Sequence, residues 1–211
     1  ATQANVTKNS REFRSGPRTF AEPPATALAR FGGYRRVTFV TYIDCVTSLD
    51  ASPIAWTPDV LGDGYQSHTI ELGPDPDGEG DVVATLVRYA PAADPAEAKP
   101  AVLYVHGFTD YFFQRHLAEF FAARGDAFYA LDLRKSGRSR RPGQSAHFVT
   151  DLAAYDAELN EAMRIIRAES GGPVVPVGHS TGGLVLSLWL DRLNRAPGGA
   201  AAAGIAGVVL N

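Results

Sequence analysis

Gly178-His179-Ser180-Thr181-Gly182 is a G-x-S-x-G sequence with an apolar run before it and an apolar helical stripe after it. A serine hydroxyl is a poor nucleophile. A site that uses one must hold the oxygen exposed to a base and aim hydrogen-bond donors at the oxyanion that develops on the substrate. A tight turn from strand to helix does both, because it lifts the side chain out of the sheet while the helix N-terminus offers unbonded amides and a positive end. Gly178 and Gly182 flank the serine as such a turn requires, where strand and helix backbones must approach closely. The alternative is an ordinary Gly/Ser turn in a parallel sheet.

A second element, His106-Gly107-Phe108-Thr109, directly follows the apolar run Val102 to Val105. The carboxyl end of a sheet strand is where open α/β sheets place ligands, and a turn there can lend a backbone amide to an oxyanion. Ser180 is therefore the candidate nucleophile, and the amides of Phe108 and Thr181 are the candidate oxyanion donors. His106 precedes the turn that must cradle the substrate oxygen, so with Gly107, Gly178 and Gly182 it is expected to support the loops. Tyr111, Phe112 and Phe113 fit an acyl pocket and helix packing equally well.

A third element is Asp132-Leu133-Arg134-Lys135-Ser136-Gly137-Arg138-Ser139. Its basic run, Arg134 to Arg141, is expected to be a solvated loop, the alternative being a site for an anionic head group. Together HGFTDYFFQRHLAEFFAARG, DLRKSGRS and VGHSTGG resemble the α/β-hydrolase superfamily in its monoacylglycerol lipase and lysophospholipase, serine aminopeptidase-type branch, over roughly Trp56 to Asn211. The resemblance implies a mostly parallel sheet with antiparallel first strands and a largely structural D-x-x-G-x-G-x-S loop. It also implies a serine working through a histidine and an acid, and a lipid-like single-chain ester as substrate. Lys135 stands where the family pattern has its first glycine, which bears on the backbone shape of that loop.

In that family the acid and the histidine follow the serine. Here no histidine follows His179, and the acid after Ser180 is Asp191, placed by the apolar stripe on the helix itself. His68, His116 and His147 fall on or beside other elements and read as structural, and His179 should point away from the site. Residues 56–211 are thus expected to be the N-terminal part of a hydrolase domain. The later strands, lid, acid and histidine loops would then come from a complementing C-terminal segment or chain. Two other readings stay open: a non-catalytic scaffold or ligand-binding fragment, and a peptidase of the same fold acting on short peptides.

The elements that must position these residues are short, almost wholly apolar runs alternating with amphipathic helices, the pattern of a sheet covered on both faces. Strands are expected at Ala101–Val105, Ala127–Leu133, Pro173–Val177 and, buried, Gly204–Leu210. One helix carries Phe113, Leu117, Phe120 and Phe121 and stops at Gly125. A second carries Leu152, Tyr155, Leu159, Met163 and Ile166, and a third carries Leu184, Val185, Leu188 and Trp189. Upstream, His68–Leu72 and Val82–Tyr89 alternate around GPDPDGEGD and predict a hairpin. A Pro/Ala linker covers Pro91 to Pro100.

Residues 1–55 read as an extension, with a further possible strand over Val37–Ile43. Residues 1–43 hold seven bases against two acids, a net of +5 in a chain whose total is −3, so the remainder carries −8. With 45% hydrophobic and 20% charged residues the 211-residue chain has the composition of a globular domain. Its pI near 6.0 gives nucleic acid no purchase as a partner. Cys45 is the single cysteine, which rules out an intrachain disulfide. Neither H-E-x-x-H nor paired C-x-x-C occurs, and ester hydrolysis by serine calls for no metal or organic cofactor. With no apolar run near the roughly 20 residues that span a bilayer, a soluble cytoplasmic protein with a small-molecule ester as partner is expected.

Overall fold

The computed structural model describes residues 54–90 and 99–211. Nearly all of the expected extension, including the strand over residues 37–43 and Cys45, lies outside the described residues, as does most of the linker over 91–98. Among the described residues seven strands form one sheet in the order β1-β2-β3-β5-β4-β6-β7. They are β1 (Thr57–Pro58), β2 (Tyr65–Pro74), β3 (Asp81–Tyr89), β4 (Lys99–Val105), β5 (Ala127–Asp132), β6 (Gly171–Gly178) and β7 (Val209–Leu210). The first three pairings are antiparallel and the β5-β4-β6-β7 pairings parallel. This is the expected α/β-hydrolase fold, a mixed sheet with an antiparallel start.

Strand alternation divides the core in two. Ala101, Leu103 and Val105 of β4, with Tyr129 and Leu131 of β5, face α2 (Asp156–Ser170) and α3 (Thr181–Asn194), where Leu159, Ile165, Ile166, Val185, Leu186 and Trp189 are buried. Val102, Tyr104, Phe128 and Ala130 face the other way, against Phe112 and against Ala118 of α1 (Arg115–Ala123). Helices on both faces explain why β4 and β5 read as continuous apolar runs. The connection from β4 runs to β5 on one side, while β6 lies on the other. The carboxyl ends of β4 and β6 therefore border a crevice at the point where the strand order reverses, the usual ligand position in such sheets.

Three sequence expectations need correction. Helix α1 starts at Arg115, after a turn in which the Arg115 amide donates to the Phe113 carbonyl. Phe113 and Phe120 are exposed and Phe112 is wholly buried, so the expected stripe is displaced. On α3 the buried face is Gly182, Val185, Leu186 and Trp189, leaving Leu184 exposed. The two glycines Gly182 and Gly183 bring the helix against the sheet and fix that rotation. The expected buried strand over 204–210 reduces to β7, with one isolated bridge from Ile205 to Val174. Val209 and Leu210 are half-exposed because β7 is an edge of the described sheet and no helix covers it. An apolar run alone does not distinguish the two situations. Among the described residues no helix is long and apolar enough to cross a membrane.

Candidate active site

Ser180 sits between the end of β6 and the start of α3 with φ 52 and ψ −119, a conformation that non-glycine residues rarely adopt. Its surroundings over-determine it. A Cβ on Gly178 would lie 2.7 Å from the Gly183 Cα and amide nitrogen, and one on Gly182 would drive into the Val105 and His106 carbonyls. Only glycine allows helix, elbow and β4 to meet at these distances. The amides of Gly182 and Gly183 donate to the carbonyls of His179 and Ser180, and the Ser180 amide donates to the Asn211 carbonyl at 2.6 Å. The Ser180 side chain is left exposed.

The His106-Gly107-Phe108-Thr109 turn lies beside this elbow. The His179 amide donates to the Val105 carbonyl at 3.0 Å. A Cβ on Gly107 would meet His179 Nδ1 at 3.2 Å and Ser180 Cβ at 3.3 Å, so the two turns are in van der Waals contact. Thr109 is left-handed at φ 55, which turns the chain away after Phe108. Among the described residues neither the Phe108 nor the Thr181 amide donates a hydrogen bond, which leaves both available to an incoming oxygen. His106 is 3% exposed and commits both ring nitrogens: Nδ1 donates to the Gly107 carbonyl at 2.7 Å and Nε2 accepts from the Leu133 amide at 3.1 Å. Neither nitrogen is free to take a proton from Ser180.

None of the other histidines reaches the Ser180 hydroxyl either. His68 bonds the Ala55 carbonyl through Nδ1, His147 bonds Ser136 through Nδ1, His116 is exposed on α1, and His179 is exposed beside the elbow. Asp191, on α3, pairs with Arg195. The structure thus brings together Ser180, Thr181, Phe108, Gly107, His106, Gly178 and Gly182, and among the described residues it places no general base on Ser180.

The first part of the basic run, Arg134 to Arg138, is not the solvated loop expected, its bases being paired with acids of the fold, whereas Arg140 is exposed as expected. Arg134 is 3% exposed and holds Glu158 through Nε and Nη2, the latter at 2.6 Å. Arg138 joins Asp59 and Asp132, while Asp132 also accepts from the Phe112 and Arg138 amides and so ties the segment after the oxyanion turn to this loop. Lys135 is fully buried, its Nζ 2.5 Å from Asp75 Oδ2 and 2.9 Å from Glu79 Oε2. Burial would lower the Lys135 pKa, but these carboxylates outweigh it and raise it. Burial likewise raises the Asp59 carboxyl, yet the Arg138 guanidinium wins and holds it below the usual range. Lys135 takes the left-handed φ of 59 that the resembling pattern gives to glycine. The DPDGEG turn that receives it held the one sequence signal, acids at alternate positions, but the partners are 56 to 60 residues away and nothing local links them.

A concavity of about 630 Å³ lined by Arg164, Arg167, Gly171, Gly172 and Ile205 opens at the amino end of β6. It holds none of the candidate residues, which cluster at the carboxyl end.

Residues 102–211, more than half of the chain, match the Alpha/beta hydrolase family, and the chain belongs to that family. Among solved structures it is similar to a highly thermostable carboxyl esterase from Bacillus coagulans, determined in complex with glycerol. The identity is 17%, the TM-score 0.52, and the match covers 68% of this chain and 43% of that one. It is also similar to a putative hydrolase from Agrobacterium vitis S4, at 15% identity and a TM-score of 0.50, covering 69% of this chain and 51% of that one. The chain therefore spans about half the length of these relatives. No curated protein matches its sequence.

Proposed function

We propose that this chain carries the nucleophile and the oxyanion donors of a serine hydrolase that cleaves carboxylic esters through an acyl-enzyme on Ser180. The observation that carries the reading is the elbow: an exposed serine at φ 52, ψ −119, beside two unbonded amides, Phe108 and Thr181. In the reaction Ser180 Oγ bonds the ester carbonyl carbon while a base takes its proton. The two amides hold the resulting oxyanion, the alcohol leaves with the proton, and water then releases the acid. None of the five histidines of the chain is hydrogen-bonded to the Ser180 hydroxyl, so we assign the base and its orienting acid to residues beyond 54–211, in a complementing segment or chain. On this reading residues 56–211 are the N-terminal part of the hydrolase domain. The monoacylglycerol or lysophospholipid preference follows from the resemblance of HGFTDYFF, DLRKSGRS and VGHSTGG to that branch.

The test is a fluorophosphonate probe on the full gene product and on Ser180→Ala. Strong labelling, lost in the variant, is expected, together with hydrolysis of short p-nitrophenyl esters. A folded gene product that takes no label sinks the acyl-enzyme reading. The second reading, a non-catalytic scaffold, is favoured by one observation, the absence of any histidine hydrogen-bonded to the Ser180 hydroxyl, and that outcome would select it.

A further inference from the structure

The segment from Arg134 to Thr150 is held more firmly than a connection needs, and one of its residues, His147, packs against the oxyanion turn. Lys135 Nζ is sunk between Asp75 and Glu79. Further on, Gln144 Nε2 donates to the Asp81 carbonyl at 3.0 Å, the Ser145 amide to Glu79 at 3.0 Å and the Thr150 amide to Asp77 at 3.2 Å. The turn between β2 and β3 thus pins the segment on both sides of His147. His147 has a left-handed φ of 61, uncommon for a residue other than glycine. It is kept there by its own amide, which donates to the Lys135 carbonyl at 3.0 Å, and by a 3.0 Å hydrogen bond between its Nδ1 and Ser136 Oγ. Its ring then stands edge-on to the ring of Phe108, centroids 6.1 Å apart. Phe108 is otherwise 65% exposed, so His147 is what its ring leans on.

We propose that His147 is a positioning residue for the oxyanion turn: by bracing the Phe108 ring it fixes the direction of the Phe108 amide beside Ser180. The catalytic consequence rests on the acyl-transfer reading above, whereas the coupling of His147 to Phe108 does not. A backbone donor has its effect only when its direction is set before the charge develops, and Phe108 stands between buried Gly107 and left-handed Thr109 with its own ring largely in solvent. The pinned segment supplies the missing restraint. The charged and titratable groups around His147 are His106, Arg140 and Asp110, with burial and the first two lowering its pKa and Asp110 opposing them.

Labelled protein followed by nuclear magnetic resonance from about pH 5 to about pH 8 spans the histidine range. The Phe108 amide shift should titrate together with the His147 imidazole. In His147→Asn, which tolerates a left-handed backbone, that pH dependence should be lost. In the kinetic arm His147→Asn should lower the limiting rate of fluorophosphonate labelling about tenfold, less than the loss on deleting an oxyanion donor. The half-saturating probe concentration should not change, and His147→Tyr, which keeps a ring edge against Phe108, should recover part of the rate. A Phe108 amide indifferent to His147, or an unaltered labelling rate in folded His147→Asn, overturns the proposal. If the parent protein takes no label, the acyl-transfer reading fails and the resonance arm alone decides whether His147 braces Phe108. If His147→Asn does not fold, Ser136→Ala, which removes the imidazole's hydrogen-bond partner together with one long 3.4 Å bond to the Arg134 carbonyl, is read the same way.

Discussion

Gly178 and Gly183 are packed backbone to backbone, so that a Cβ on Gly178 would stand 2.7 Å from the Gly183 Cα. A backbone atom cannot swing aside as a side-chain tip can. Gly178→Ala must therefore push α3 off the sheet at its first turn, next to Ser180. We expect a loss of about 2 kcal/mol, within the range for overpacking, seen as a lower urea midpoint at unchanged slope. Gly182→Ala, blocked by the Val105 and His106 carbonyls, should cost as much. Gly207→Ala, with open space around its Cβ, is the neutral control.

Ser180 itself stores strain. Its φ and ψ are compatible with glycine, and holding a serine there costs on the order of 1–3 kcal/mol. Against that, a glycine makes the unfolded chain more flexible, worth roughly 0.4–1 kcal/mol in the other direction. Ser180→Gly should thus be more stable than the parent by about 1 kcal/mol while losing all labelling at this position. Thermal unfolding of the parent, Ser180→Gly and Ser180→Ala checks it. A Ser180→Gly protein less stable than Ser180→Ala would mean that the elbow is not strained.

Lys135 is a fully buried cation. Lys135→Met leaves Asp75 facing Glu79 with no counter-charge, and removing one partner of a buried pair typically costs about 3–5 kcal/mol. We expect a large fall in the urea midpoint. Lys135→Met combined with Asp75→Leu and Glu79→Leu should recover much of it, because an apolar cluster of similar volume no longer strands a charge.

How much of this was legible in the sequence differs by region. The elbow was, because a strand-length apolar run, flanking glycines and a helical stripe all point to the same turn around Ser180. So was the hairpin, whose strands pair as expected, although Val82 to Val87 is buried on both faces because β3 pairs on both sides. Lys135 and Arg134 were not, because a run of bases usually faces water and their partners lie far away in sequence, at Asp75, Glu79 and Glu158. Phe113 and Phe120 satisfied helical spacing yet are exposed, since the helix begins two residues after Phe113. Spacing cannot reveal that Phe112 is the ring the core takes.

The same acid turn makes a pH prediction. Hydrogen bonds from Lys135 and from Ser145 hold Glu79 down from 4.5 to about 2. A carboxyl whose folded pKa is depressed contributes stability that is fully present above its unfolded pKa and is lost as pH falls through the folded one. Stability should therefore decline between about pH 4.5 and about pH 2. Glu79→Gln, less stable near neutrality, should show a shallower decline over that window. Urea midpoints at several pH values measure both slopes, and equal slopes would mean that Glu79 is not held by Lys135.

His106 gives the sharpest separation between a support and a base. Its two nitrogens join Gly107, in the oxyanion turn, to Leu133, at the end of β5, inside a site where the ring is 3% exposed. His106→Ala strands the buried Leu133 amide, a loss of about 1–3 kcal/mol for the unsatisfied donor, plus the emptied volume of the ring. His106→Asn presents an oxygen or amide of similar reach on one side only and should recover part of the stability. If His106 is purely a support, labelling of Ser180 should fall in proportion to the folded fraction in both variants, with its pH dependence unmoved. A pH profile that loses a limb in folded His106→Asn would instead make His106 the proton acceptor, and the hydrogen bonds that occupy its ring would have to open during turnover.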